Sequence, residues 1–350
     1  MKNYLSNRQS IVNFYGKFST SETLRTGVPQ GSILGPLLFI IFINDLCHLT
    51  LNSNKTIFAD DTTLYLKGSN LQKIACELEK DLEIVAGWLR HNRLLLNVKK
   101  SNAMIFKWKY QQNMDVMNTN IDAFEELEIK CGGERIPLVK KFTLLCVLLD
   151  EFLTFDMHTI AVCSKVNWKI CVLNKSSYLF DLKFRVTLFK LFIMSKYDYC
   201  SSLFIHFSDS RNNERLDKNF AKAIKSYLKI NIYNHNIEEQ LTVLKNYTLI
   251  PLKLRFFKNL TFFVFSLVKC NRNSALLDSI KLLRKTRLTR AYFSEPISKT
   301  DLYKFSFISI SIRLLNSFIF KHINLEEKMF RSIFEATIIE LYNANHKHWT

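Results

Sequence analysis

Apolar and polar residues fall in short alternating runs over the first part of the chain and recur every three or four positions over the last part. RQSIVNFYGKFS alternates loosely and predicts a strand followed by a turn. TGVPQGSILGPLLFIIFINDL crowds glycine and proline into its first half and is strongly apolar in its second. Pro36 suits a first helical turn, where its fixed φ and missing N–H cost nothing. A helix is therefore predicted from about residue 36 to 46, buried nearly all round. IFADDTTLYL, residues 57–66, predicts two short strands about a tight turn. Asn70 stands where it can cap a helix whose apolar positions Leu71, Ile74, Ala75, Leu78, Leu82, Val85 and Leu89 form one stripe. Residues 103–106 predict a strand and 107–123 a polar loop. CGGE, between LEIK and RIPLV, predicts a hairpin turn, and KFTLLCVLLD a further strand.

Beyond residue 155 the period changes. Helices are predicted at 157–178, 182–199, 211–228, 237–244, 251–269, 301–322 and 326–344. Glycine (8) and proline (5) are scarce, which agrees with long regular elements. The expected class is α+β: a mixed domain over 1–155, then helical regions at 156–230 and 231–350.

The net charge is +18, and such an excess repels itself in a compact chain, so a polyanionic partner is expected, nucleic acid first and an anionic membrane surface second, against a plain basic bias of composition. The eight cysteines are irregularly spaced, with no CxxC pair, and read as reduced thiols of an intracellular protein in cytoplasm or nucleus. MKNYLSNRQS is too polar for a signal peptide, so secretion is not expected. The longest apolar run, ILGPLLFIIFI, is shorter than a membrane span, so no membrane partner is expected.

Three constellations could carry chemistry. Adjacent Asp60 and Asp61 offer hard oxygen ligands suited to Mg²⁺, which often takes one or two protein carboxylates. Aspartate is equally a common turn residue. GVPQGS, with Gln30 and Gly31, precedes a helix and could hold a phosphate, a sugar or a base edge, or be a plain loop. NVKKS places Lys100 between a helix and a strand, as a solvated charge or as a proton donor to a phosphate.

In their order, GVPQGSILGPLLFIIFINDL, FADDTTLY, WLRHNRLLLNVKKSNAMIF and KFTLLCVLLDEFLTFDMH resemble the reverse transcriptase of non-LTR retrotransposons. SKYDYCSSLF, TRLTRAYFSEP and SFISISIRLLNSF extend the resemblance. It implies the right-hand polymerase fold, a partial palm followed by a helical thumb and a C-terminal helical region. The implied activity is RNA-directed DNA synthesis by two-metal nucleotidyl transfer. Asp60 and Asp61 would hold Mg²⁺ (or Mn²⁺). Gln30, Gly31, Phe58 and Ala59 would lie against the incoming dNTP and the template. Lys100 would sit near the leaving pyrophosphate. Residues 142–150, with Phe142, Leu145 and Cys146, would form the primer-grip hairpin. Lys165, Lys169, Lys175, Lys183 and Arg185 would follow the backbone of the RNA template and DNA primer duplex.

Two departures qualify this. The family's further catalytic aspartate and the fingers lie on segments that MKNYLSNRQSIVNF would follow, so they are not in this sequence. Cys146 stands where the family usually has glycine. The chain alone is therefore expected to be inactive, unless another chain supplies the missing palm strand. The competing expectation is a non-catalytic RNA- or DNA-binding remnant.

Overall fold

Residues 8–24 double back on themselves. β1 (Arg8–Ser10) pairs antiparallel with β4 (Glu22–Leu24), and β2 (Asn13–Phe14) pairs with β3 (Lys17–Phe18) about Tyr15 and Gly16. Both turn residues have positive φ, as a two-residue hairpin turn with the right twist requires. The expected strand and turn are there, and the chain also returns along itself. The structure is a computed structural model, and it describes residues 2–106, 127–204, 210–232, 235–269 and 327–346. The polar loop expected at 107–123 and the helix expected at 301–322 lie outside these. Helices and strands are mixed, and the described chain separates into two compact units. One holds residues 2–105 and 127–139, and the other holds 106 and everything from 140 onward.

In the first unit a short helix, α1 (Lys2–Leu5), precedes the hairpin. The apolar helix α2 spans Leu34–Ile43 and tightens into a 3₁₀ turn at Asn44–His48. It is not buried nearly all round, contrary to the expectation. Within it only Gly35 and Ile43 are buried, while Leu37, Ile40, Ile41 and Phe42 are exposed. The reason is that the elements packed on it cover one side alone. That side meets β5 (Asn54–Phe58), β6 (Asp61–Tyr65) and α3 (Leu71–His91) through Ile43, Leu46 and Val85, flanked by Phe39, Ile57, Leu64 and Trp88.

The helix α3 begins as expected: the Asn70 side chain accepts from Lys73 N at 3.0 Å. A neighbouring face packs on the hairpin of β7 (Ile129–Cys131) and β8 (Glu134–Ile136), through Ala75, Ala86, Leu127, Ile129 and Ile136. Gly132 and Gly133, both at positive φ, make the expected turn. Glu79 Oε1 accepts from Lys130 N at 2.8 Å, which fixes the hairpin to the helix. Residues 103–106 form no strand. Only Ala103 bridges to Leu138, because the chain touches this hairpin beyond its end, with Ala103 N donating to Pro137 O at 3.0 Å.

In the second unit, KFTLLCVLLD is a hairpin rather than one strand. β9 (Lys141–Leu144) pairs with β10 (Val147–Asp150) about Leu145 and Cys146. The Asp150 carboxylate then accepts from Phe152 N, Thr154 N and Phe155 N at 3.0–3.1 Å, which ties the hairpin to α4 (Asp156–Lys175). α5 (Leu182–Phe189) continues through a π-helical turn (Lys190–Met194) into α6 (Ser195–Asp198), and α7 (Ser201–Phe204) follows. α8 (Ser210–Leu228), α9 (Ile237–Lys245), α10 (Leu252–Lys269) and α11 (Glu327–His346) lie within a residue or two of expectation. One core joins Val147 and Phe155 to Val166, Phe189, Ile193, Tyr197, Phe220, Ile224 and Leu252. Among the described residues no helix is long and apolar enough to cross a membrane.

Candidate metal and nucleic-acid site

The register of the β5–β6 hairpin decides how its carboxylates are presented. Lys55 faces Leu64 and Ile57 faces Thr62, while Thr56 faces Thr63 and Phe58 faces Asp61. Opposed residues share a face, and successive residues alternate. Ile57 and Leu64 turn to the core with α2 and α3. Phe58, Asp61 and Tyr65 thus lie on the outer face, where Phe58 is 62% exposed and Tyr65 is 51% exposed. Ala59 and Asp60 make the turn, Ala59 in the left-handed region at φ 51°. Such a conformation strains a residue that carries a β-carbon. Both aspartates are exposed, Asp60 at the tip and Asp61 on the outer face beside it. Among the described residues the sheet has only these two strands, and no group of three or more His, Cys, Asp or Glu is placed to hold a metal ion.

What holds the hairpin is a residue that the motif reading passed over. Asp81 of α3 is fully buried. Its Oδ2 accepts from Ser53 N at 2.6 Å, and its Oδ1 accepts from Asn52 N at 3.0 Å and Asn52 Nδ2 at 3.3 Å. Burial pushes its carboxyl up, but the hydrogen bonds from Ser53 and Asn52 outweigh that and leave it below its ordinary value. The clamp grips the two residues that lead into β5. Lys55 Nζ adds a hydrogen bond to the Leu49 carbonyl.

GVPQGS forms a loop at the N-terminus of α2. Gly27 and Gly31 adopt positive φ, and Arg8 Nη2 donates to the Thr26 and Gly27 carbonyls at 2.9 and 2.6 Å. Ser32 Oγ accepts from Gly35 N at 3.1 Å and from Tyr4 Oη at 2.5 Å. Gln30 and Gly31 are exposed. Lys100 is exposed too, at the end of a 3₁₀ turn (Val98–Lys100) that Asn97 caps. No hydrogen bond or ion pair among the described residues joins Gln30 or Lys100 to the aspartates. Phe58, Ala59, Asp60 and Asp61 are brought together. Gln30, Gly31 and Lys100 share their unit but stand on separate loops.

Phe142, Leu145 and Cys146 belong to the second unit. Leu145 and Cys146 occupy the β9–β10 turn at φ 45° and 66°, and Phe142 pairs with Leu149. Of the basic residues there, Lys165, Lys175 and Lys183 are exposed. Lys169 Nζ lies over the rings of Trp168 (5.0 Å to the centroid) and Phe192 (5.8 Å), both exposed. Arg185 is turned inward over the buried Tyr227 ring, with its Nε and Nη2 shielded from solvent.

Residues 1–132 match the family model described as reverse transcriptase (RNA-dependent DNA polymerase). Over that segment the chain is similar to reverse transcriptases, and the relatives it matches are polymerases of transposable elements. It is 27% identical over 207 residues to the probable RNA-directed DNA polymerase from transposon X-element of Drosophila melanogaster, covering 57% of this chain and 21% of that protein. It is 29% identical over 165 residues to the probable RNA-directed DNA polymerase from transposon BS of the same species, covering 45% and 17%. The RNA-directed DNA polymerase from mobile element jockey is 24% identical over 191 residues, covering 51% and 19%. The chain therefore spans about a fifth of the length of the curated relatives it matches. No solved structure matches it.

Asp81 had a sequence signal. It stands three residues after Leu78 and four before Val85, inside the apolar stripe of α3. A carboxylate on that face must be satisfied from within the fold.

Proposed function

We propose that this chain carries part of the active centre of an RNA-directed DNA polymerase, with the β5–β6 tip as its metal-facing edge. The observation that supports this best is the exposure of Asp60 and Asp61 together on a hairpin clamped from behind by Asp81. The hairpin lies within the segment that matches the reverse transcriptases. In this reading residues 1–155 correspond to part of a palm, 156–230 to a thumb and 231–350 to a C-terminal helical region. The chain works inside the cell, in cytoplasm or nucleus.

Exposed carboxylate oxygens suit Mg²⁺ or Mn²⁺, so the residues present fit a hard divalent ion as part of a ligand set. When bound, such ions supply charge stabilisation to a phosphoryl group in transfer. Asp60 and Asp61 would hold and orient them. Gln30, Gly31, Phe58 and Ala59 would border the dNTP and template, and Lys100 would hold a proton or a counter-charge at the pyrophosphate. Phe142, Leu145 and Cys146 would steady the primer end. Lys165, Lys169, Lys175 and Lys183 would meet duplex phosphates, which positions nucleic acid without reading its sequence. Arg185, shielded on one side by its packing on Tyr227, would contribute least.

Among the described residues no third ligand joins the two carboxylates, which as a pair are an incomplete two-metal site. The chain alone is therefore inactive and binds nucleic acid without synthesis, unless a partner chain completes the palm. The second reading, a non-catalytic RNA- or DNA-binding protein, rests on the net charge of +18. Primer extension on an RNA template with Mg²⁺ and all four dNTPs tests this. No extension is expected, together with salt-dependent duplex binding that survives Asp60→Ala. Extension lost in Asp60→Ala would overturn the inactivity. Binding no tighter than that of an unrelated protein of equal charge would overturn the nucleic-acid role.

A further inference from the structure

Two cysteines of the second unit are brought together by a contact that the polymerase reading does not use. Cys146 and Leu145 form the β9–β10 loop, and Cys200 sits between α6 and α7 at φ 53°. The residue before Cys200 reaches back to the residue before Cys146: Tyr199 Oη donates to the Leu145 carbonyl at 2.6 Å. That carbonyl belongs to the peptide unit joining Leu145 to Cys146, so the bond holds loop and junction side by side. Burial, followed by the Cys200 and Cys146 thiols, pushes the Tyr199 phenol up, so both thiols act on the hydroxyl that makes this bond. Both cysteines are exposed.

We infer that Cys146 and Cys200 are a reversible oxidation site, closing an intrachain disulfide that staples the β9–β10 loop to the α6–α7 junction when the protein meets a peroxide. A disulfide needs its two Cα atoms within roughly 7 Å. The Tyr199–Leu145 bond tethers the two segments through the tyrosine side chain, and the closing movement falls on the exposed Leu145–Cys146 loop. The electrons balance in two steps. The Cys146 thiolate attacks one peroxide oxygen, the O–O bond breaks, water leaves, and a sulfenic acid remains on Cys146. The Cys200 thiolate then attacks that sulfur, the S–S bond forms, and the hydroxyl leaves as a second water. The two thiols together lose two electrons and two protons, and the peroxide is reduced to two waters. Burial pushes the Cys200 thiol up, so the first attack on the peroxide is assigned to Cys146.

This inference stands whether or not the chain is part of a polymerase, because its readout is chemical. The folded full chain is titrated with hydrogen peroxide, its remaining thiols are alkylated, and its peptides are mapped by mass spectrometry. The expected result is a Cys146–Cys200 linked peptide, lighter by two hydrogens, that exceeds every other intrachain pair by about tenfold, since held groups react ahead of free ones. Dithiothreitol should release it, and Cys146→Ser should abolish it. Exposed Cys47, Cys76 and Cys171 are the comparators. A statistical mixture of pairs, a Cys146–Cys200 link that forms only in urea, or oxidation of both thiols without a link would each overturn the inference.

Discussion

Removing the Asp81 carboxylate should loosen the candidate site without touching it. The side chain is fully buried and accepts two backbone N–H groups and one amide at the entrance to β5. A hydrogen bond to a charged group contributes about 1.5–3 kcal/mol, and a buried donor left unpaired costs about 1–3 kcal/mol. Ser53 is buried, so its N–H would be stranded, whereas Asn52 is exposed and can turn to water. Asp81→Ala should therefore cost about 2–4 kcal/mol, and Asp81→Asn, which keeps one acceptor oxygen, about half of that. Native-state hydrogen exchange at Ser53 and along β5 reads the change directly. The folded carboxyl titrates below its ordinary value, so the unfolded chain binds its proton first as pH falls. The clamp's contribution is full above about pH 4 and is lost as pH drops through the folded value. The gap between wild type and Asp81→Asn should accordingly be flat near neutrality and narrow in acid. A loss under about 0.5 kcal/mol in Asp81→Ala, the range of ordinary surface changes, would refute the reasoning.

Three further outcomes are expected. Asp60→Ala and Asp61→Ala should each leave stability within about 0.5 kcal/mol of wild type in urea unfolding, because both side chains are exposed. Burial, and then Lys165, push the His158 imidazole down, while its Nδ1 accepts from Leu148 N at 3.3 Å. The second unit should lose stability as pH falls below about 6.5, and His158→Gln should flatten that slope; equal slopes would contradict the assignment. Arg255 grips Asp198 through two bonds of 2.6 Å, Nε to Oδ1 and Nη2 to Oδ2. Arg255→Lys keeps the charge but loses the fork, so the urea midpoint should fall by an amount worth about 1–2 kcal/mol.

Local chemistry was legible where a short stretch carries its own instruction. Asn70 before an apolar stripe marks a cap, and CGGE marks a hairpin, because the backbone there needs what those residues supply. KFTLLCVLLD was opaque to pattern alone, since Leu145 and Cys146 are poor residues for positive φ and nothing else punctuates the run. The resemblance supplied that hairpin. The cover on α2 could not be read from LGPLLFIIFI, because burial depends on what packs against a helix and not on its own hydrophobicity. The aspartate pair stood out in the sequence, and its setting did not: the outward face and the clamp behind it follow from β5–β6 register and from α3.

The central claim is that the β5–β6 tip is a partial metal site. Paramagnetic line broadening by Mn²⁺, followed in amide spectra of the chain, tests it most directly. The expected result is broadening that begins at Ala59, Asp60 and Asp61 at low Mn²⁺, is competed by Mg²⁺, and disappears in Asp60→Ala. Broadening spread evenly over the other exposed carboxylates, and unchanged by that substitution, would contradict the account.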